Sequence, residues 1–309
     1  MISETKAVFR QSAIRTDQIS LQNKRILITG ITSIHGWPVF VALNKLFSPE
    51  RLFAIRSPKM RVPQGKNVIG GCVTDKGLFT KIREEFNPTH VIHCAGVCDL
   101  DVCEERPLWA HAMNTTGAQV IGEVFGKSCH ITYLSSDLVF SGEGAPLNGY
   151  DESSIPDPLS VAGKTIRKAE IAIAKCERYC ILRLGLPIGE SVTGDKGAVG
   201  FIRSRFRRNL PVTLFFDEWR SCILCEDIVS AVMGVLEIEP VGVFHCGGPV
   251  KRSLHEVGRY VLESGDYDSS LLKGIYRREE KNGPPRMGDV SLDSSKLSSL
   301  LGLQFSVAF

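Results

Sequence analysis

The sequence lacks a long apolar run, a low-complexity segment and a strong excess of charge of either sign. No stretch approaches the ~20 apolar residues of a membrane-spanning helix, so we expect no membrane association. The N-terminal stretch MISETKAVFRQSAIRTDQIS is polar, without the apolar core of a signal peptide. The formal net charge is only +3, which gives no broad field for nucleic acid. These absences favour a cytoplasmic globular protein.

The ten cysteines are the one unusual feature of the composition. Without a secretory segment, we expect them to be reduced and mostly buried. The cluster His93, Cys94, Cys98 and Cys103 contains no Cys-x-x-Cys pair, and Cys94 ends an apolar strand. We therefore expect no metal site.

From Arg25 to residue 186, short apolar runs alternate with amphipathic stretches. The pattern predicts strands at 25–30, 52–55, 67–73, 90–96, 130–136 and 179–185, and helices at 36–46, 75–86, 104–125 and 159–177. Strand, helix, strand repeated in this way predicts an α/β fold: a doubly wound, Rossmann-type parallel sheet with helices on both faces.

Beyond residue 186 the alternation breaks. A helical pattern around 228–235, a strand at 242–248 and a helix that begins at Ser253 are separated by loops with glycine and proline. The expected organisation is a polar leader (1–23), a dinucleotide-binding domain (24–186) and a smaller C-terminal α/β substrate lobe (187–309). Segments of that lobe can return to the main sheet.

A candidate phosphate-binding loop follows the first strand. It runs Gly30-Ile-Thr-Ser33-Ile34-His-Gly36 and leads directly into the first helix. A glycine at this turn lets the backbone approach a pyrophosphate, and the helix N-terminus adds free N–H groups. The position after the first buried strand makes a dinucleotide site the favoured interpretation over a simple tight turn.

Arg56 ends the second predicted strand. A cofactor without a 2′-phosphate is usually held at this position by an acidic side chain. An arginine instead favours the additional phosphate, so we predict NADP(H) in preference to NAD(H). The alternative is that Arg56 is an ordinary surface residue.

Several segments together carry a family resemblance. They are TGITSIHG (29–36), VIHCAGVCDLDVCE (91–104), MNTTG (113–117), LSSDLVFSG (134–142), GYDESSIPDPLSVAGKTIRKAE (149–170), ILRLGLPIG (181–189), WRSCILCEDI (219–228) and PPRMGDVSLDSSKL (284–297). In this order, over residues 24–303, the chain resembles the extended short-chain dehydrogenase/reductase family, most closely the dTDP-4-dehydrorhamnose reductase type.

The resemblance implies a set of cofactor contacts. Gly30 and Gly36 match the outer glycines of the family's Gly-x-x-Gly-x-x-Gly loop, whereas Ser33 stands at the middle position. The other implied contacts are Ile34, Cys94, Ala95, Gly96 and Pro187.

The resemblance also implies residues for a nucleotide-activated sugar. Ser136 matches the side chain that hydrogen-bonds the reacting oxygen, and Asp137 matches the acid beside it. Arg220 and Arg286 match arginines that grip the substrate diphosphate, a role that suits a guanidinium fork. Cys98 lies in a loop that faces cofactor and substrate in this fold.

The family's central catalytic pair is missing. Its tyrosine and the lysine four residues later correspond here to Ala162 and Ile166, and neither can carry a proton. Lys164 and Lys168 are displaced by two residues, or about 200° around a helix. Loss of a positioned general acid costs about 10²–10⁴ in rate.

Two functions therefore remain open from the sequence. The first is an atypical reductase or epimerase that uses another proton donor. The second is a non-catalytic subunit that retains the ligand sites and serves a partner enzyme, a role known for this type of fold. The resemblance further implies a homodimer formed through the helices at 104–125 and 159–177.

Overall fold

A computed structural model describes residues 21–309, so most of the predicted leader lies outside the described residues. In the described part the strands are β1 (Ile26–Thr29), β2 (Leu52–Arg56), β3 (Val68–Gly70), β4 (His90–His93), β5 (His130–Ser136), β6 (Tyr179–Leu184), β7 (Leu186–Ile188), β8 (Val212–Phe215), β9 (Trp219–Leu224), β10 (Gly242–Cys246), β11 (Lys251–Ser253) and β12 (Leu272–Ile275).

The same part of the chain forms the following α-helices. They are α1 (Gly36–Leu46), α2 (Lys76–Phe86), α3 (Leu100–Glu105), α4 (Pro107–His111), α5 (Gly117–Phe125), α6 (Val161–Ile173), α7 (Gly197–Phe206), α8 (Cys225–Ile238), α9 (Leu254–Ser264) and α10 (Ser295–Leu301).

A parallel sheet with strand order β10-β6-β5-β4-β1-β2-β3 forms the centre of the molecule. Because side chains alternate across a strand, Ile26 and Ile28 pack on one face with α1, α8 and α10. Leu27 packs on the other face with α2, α5 and α6. This arrangement confirms the predicted doubly wound Rossmann-type fold.

The strand β10 joins this sheet although it comes late in the chain. It pairs with β6 in parallel, with Gly242 opposite Cys180. The remaining C-terminal strands form a β11-β9-β7 sheet and a β12-β8 pair, packed with α7 and α9 around a separate apolar cluster. The division at residues 186 and 187 remains a prediction, with β10 as a segment that returns to the main sheet.

The prediction of a single helix at 104–125 is wrong. The structure instead has α3, α4 and α5, with a π-helical turn (Ala112–Thr116) between the last two. Pro107 begins α4, since proline cannot donate within a helix but fits its first turn. The wide turn then rotates the buried face, so that Asn114 and Thr115 point inward.

Other boundaries differ by a few residues. The strand expected at 67–73 is only Val68–Gly70, and the helix expected at 159–177 is α6, capped by Ser160. The helix expected at Ser253 is confirmed: Ser253 Oγ accepts from the backbone N–H of Glu256, whose carboxylate accepts from the N–H of Ser253.

All ten cysteines are free thiols, and most are buried. Over residues 21–309, no helix is both long and apolar enough to cross a bilayer.

Buried histidines predict a pH-dependent stability. Burial lowers the pKa values of His90, His93 and His245 from 6.5 to about 4. The unfolded chain therefore binds more protons between pH 6.5 and 4, and stability is lost as the pH falls through this window. Each histidine should reduce the free energy of unfolding by about 2 kcal/mol at pH 5.

Urea unfolding of the wild type and of His93→Gln at pH 7 and pH 5 measures this effect. The variant lacks one titrating group, so its loss of stability between the two pH values should be smaller by about 2 kcal/mol. An identical loss in both proteins would show that His93 is not held neutral.

Candidate functional site

Two predicted cofactor stretches meet at the carboxyl edge of the sheet. Gly30 follows β1 with φ +70°, and a Cβ there would lie 2.4 Å from the backbone nitrogen of Ala95. Only glycine fits this left-handed and crowded position. The loop 30–36 and the segment 94–96 after β4 thus form one surface, with Gly96 exposed.

Ser33 is accommodated by a hydrogen bond within the loop. Its Oγ accepts from the backbone N–H of Gly36 at 2.9 Å, and so it satisfies one of the free donors at the start of α1. Ile34 lies beside the start of α8, since its carbonyl accepts from Cys225 Sγ at 3.5 Å. Pro187 lies on β7, opposite Ile223 of β9.

Arg56 lies against the turn that follows β2. Its Nη1 donates to the carbonyls of Met60 and Ser57, while its Nε is buried and has no partner among residues 21–309. A buried donor without a partner is unfavourable, so the Arg56 guanidinium has hydrogen-bonding capacity that the described residues do not use. Three features together fit the binding of a nicotinamide dinucleotide: the close backbone approach at Gly30, the N-terminus of α1 and the Arg56 guanidinium.

The predicted acid and one predicted substrate arginine bind each other. Arg220 Nε donates to Asp137 Oδ2 at 2.6 Å, and Arg220 Nη2 donates to Oδ1. Asp137 is fully buried and Arg220 almost so. Ser136 Oγ donates to Asp137 Oδ1 at 3.0 Å and accepts from the N–H of Leu138. All three functional groups are therefore engaged by one another or by the backbone.

Electrostatics strengthen this pairing. Burial raises the pKa of Asp137, whereas the Arg220 guanidinium opposes that shift. Burial lowers the pKa of Arg220, but the Asp137 carboxylate outweighs it and leaves the pKa above its usual value. A bidentate pair of this kind compensates two charges that would each be costly to bury alone.

Sequence reasoning missed Glu218, which precedes Arg220 by two residues. Its Oε2 is buried without a hydrogen-bond partner among residues 21–309, and burial raises its pKa. Arg286 Nη1 lies 3.9 Å from this oxygen, and the Arg286 guanidinium lies 4.8 Å from the Phe215 ring centroid. Glu218 lies one residue before β9, so the only sequence signal for it is its closeness to Arg220, a predicted substrate residue.

Cys98 is exposed on the loop after β4. Its thiol pKa is raised, chiefly by desolvation, with Arg220 opposing and the carboxylates of Asp99 and Asp137 adding to the rise. Cys98 is therefore a neutral thiol at pH 7 beside the Asp137–Arg220 pair.

Ala162 and Ile166 belong to the apolar core. They are buried in a cluster that includes Leu138 and Phe140. A Cβ on Gly163 would lie 2.1 Å from the Leu138 carbonyl oxygen, so α6 packs closely against the turn after β5. This face of α6 offers no proton donor at either expected catalytic position.

The other candidate donors near α6 do not replace the missing pair. Lys164 and Lys168 are exposed, as their helical phase predicts. Tyr150 is stacked on Phe140 with ring centroids 4.1 Å apart, and its phenol pKa is raised, chiefly by burial. In the part of the chain that the structure describes, no cluster of histidine, cysteine and carboxylate side chains could hold a metal ion.

Comparison with known proteins places the chain in a family. The model described as the RmlD substrate binding domain matches residues 24–306, and the chain belongs to that family. This confirms the resemblance to dTDP-4-dehydrorhamnose reductases. A curated relative, methionine adenosyltransferase 2 subunit beta of Xenopus laevis, is 25% identical over 92% of this chain and 84% of its own length.

Two solved structures share the fold. The Bacillus anthracis dTDP-4-dehydrorhamnose reductase in complex with NADP has a TM-score of 0.75 and 18% identity, covering 92% of this chain and 95% of its own. The Bordetella bronchiseptica enzyme WbmG, in complex with NAD and UDP, has a TM-score of 0.76 and 22% identity, covering 93% and 90%.

The Asp137–Arg220 pair yields a stability prediction. Asp137→Asn leaves a buried guanidinium without its counter-charge and should reduce the free energy of unfolding by about 3–5 kcal/mol. Chemical denaturation measures this change in the free energy of unfolding. Asp137→Asn combined with Arg220→Met should lose less, because no buried charge remains uncompensated.

The exposed pair between Lys76 and Glu123, 2.7 Å apart, supplies a matched control. Glu123→Gln should change stability by less than about 1 kcal/mol. A loss for Asp137→Asn as small as that of the control would contradict the assignment of a buried ion pair.

Proposed function

We propose that this protein binds a nicotinamide dinucleotide and a nucleotide-type ligand without reducing a sugar, and that it acts on a partner enzyme. The packing of Ala162 and Ile166 into the apolar cluster carries this proposal. Both positions of the expected proton-transfer pair are filled with side chains that cannot titrate. Asp137, the acid predicted beside Ser136, accepts hydrogen bonds from Arg220 at both carboxylate oxygens.

The binding half of the site favours the cofactor. The Gly30 turn and the Arg56 guanidinium are both in place for a dinucleotide, and Arg56 supports NADP(H) before NAD(H). The related structures bind NADP in one case, and NAD with UDP in another. A nucleotide-sugar-type ligand is the corresponding proposal for the second subsite, at Cys98, Arg220 and Arg286.

A second candidate is the atypical reductase or epimerase. The observation in its favour is Glu218, a buried carboxyl with a raised pKa whose Oε2 accepts no hydrogen bond within residues 21–309. A carboxyl group whose pKa is raised by burial is a better proton donor than an ordinary carboxylate.

Cofactor binding and turnover separate the two candidates. We expect NADPH to raise the melting temperature, since a ligand at 100 times its Kd stabilises the folded state by about 2.7 kcal/mol. We expect no NADPH oxidation with a panel of nucleotide 4-ketosugars. Turnover that is lost in Glu218→Gln, with NADPH binding retained, would establish the second candidate instead.

Reconstruction of the catalytic pair is a further arm of that experiment. Ala162→Tyr with Ile166→Lys should not create activity, because both positions lie inside the packed cluster. NADPH binding to the variant serves as the control for its folding. Activity in this variant would show that the pocket still accepts the family's substrate.

The partner can be tested directly. Because the curated relative is a methionine adenosyltransferase subunit, we expect this protein to form a complex with a methionine adenosyltransferase catalytic chain. Size-exclusion chromatography of the two purified chains, with and without NADPH, measures it. Separate elution at micromolar concentrations, with NADPH shown to bind, would refute the partner while leaving cofactor binding intact.

A further inference from the structure

Lys196 reaches the cofactor loop from the smaller lobe. It caps the N-terminus of α7, where its backbone N–H donates to Ser191 Oγ at 3.1 Å. Its Nζ donates to the carbonyl of Thr32 at 3.1 Å, inside the glycine loop. A lysine from a different part of the fold is therefore placed on the loop that follows β1.

Lys196 and Arg56 converge on one residue. Lys196 Nζ lies 3.4 Å from Met60 Sδ, and Arg56 Nη1 donates to the Met60 carbonyl. Within residues 21–309, no carboxylate forms an ion pair with either cation. Two cations so placed create a local positive potential between the ends of β1 and β2.

The second observation is the unused part of the Arg56 guanidinium: Nη1 donates to two carbonyls, whereas Nε and Nη2 form no hydrogen bond within residues 21–309. Lys196 has three N–H donors, and two of them meet Thr32 and Met60. Both cations thus retain donors for an additional acceptor. In Rossmann-type folds the ribose 2′ position lies at the end of the second strand, which is where Arg56 stands.

We propose that Lys196 is a second cation for the 2′-phosphate of NADP(H), acting together with Arg56. The inference rests on the proposed cofactor site and extends it to a residue outside the nucleotide-binding half. A doubly charged phosphate between a guanidinium and an ammonium forms charge-assisted hydrogen bonds to both. The cofactor's phosphate would then bridge the β2–β3 turn and the start of α7.

This bridge would couple cofactor binding to the smaller lobe. The residue after Lys196, Gly197, has φ +77° and packs on Ile34, since a Cβ there would lie 3.0 Å from Ile34 Cγ1. The glycine loop therefore contacts the start of α7 at two neighbouring residues, Lys196 and Gly197. The cofactor phosphate would add a further link across that contact.

Calorimetry with 2′,5′-ADP and 5′-AMP tests the inference, because the two ligands differ only in the 2′-phosphate. Lys196→Gln should weaken 2′,5′-ADP about tenfold, the effect of one charge-assisted hydrogen bond. It should leave 5′-AMP within about twofold. Lys196→Arg keeps the charge and should restore most of the difference.

The control is Arg203→Gln, on the same helix, where Arg203 pairs with Glu190 at 3.0 Å. It should not alter the ratio of the two affinities. Equal losses for both ligands in Lys196→Gln, or no loss, would overturn the inference. Equal binding of 2′,5′-ADP and 5′-AMP by the wild-type protein would also overturn the inference, while leaving dinucleotide binding intact. Wild-type protein that binds neither, nor NADPH, would refute the proposed cofactor site itself.

Discussion

The buried ion pair between Asp137 and Arg220 is the constraint on which the site depends. It joins the end of β5 in the main sheet to β9 in the smaller lobe. Two buried charges are tolerated only when each is fully compensated. The strand β9 must therefore stay where the Arg220 guanidinium meets the Asp137 carboxylate. The pair also engages the only acid that follows β5 directly, and it engages one of the two arginines expected to bind a diphosphate.

The two halves of the proposed site differ in character. On the cofactor side, Gly30 keeps the close approach to the segment after β4, and Arg56 keeps an unpaired donor. On the catalytic side, Ala162 and Ile166 have become part of an apolar cluster. This combination underlies the proposal of dinucleotide binding without a proton donor at positions 162 and 166. The membership in the RmlD substrate binding family is consistent with retained binding surfaces.

The periodicity of the chain predicted most of the fold because local apolar patterns specify buried strands and amphipathic helices. It failed at 104–125, where Pro107 and a π-helical turn divide one expected helix into several pieces. A π turn adds one residue to a helical turn and leaves no compositional trace. The candidate site residues could be named from motifs, but the contacts among them span long distances in sequence. Asp137 and Arg220 are 83 residues apart.

The sequence by itself determined the doubly wound core, the glycine loop and the absence of the tyrosine and lysine, because each depends on residues close together in the chain. Tertiary structure alone decided that Arg220 binds Asp137, that Glu218 is buried beside Arg286 without a hydrogen bond to its Oε2, and that Lys196 reaches Thr32. These contacts arise where separate elements pack. A motif specifies which charges are present, whereas only packing determines which of them neutralise each other and which remain available for a ligand.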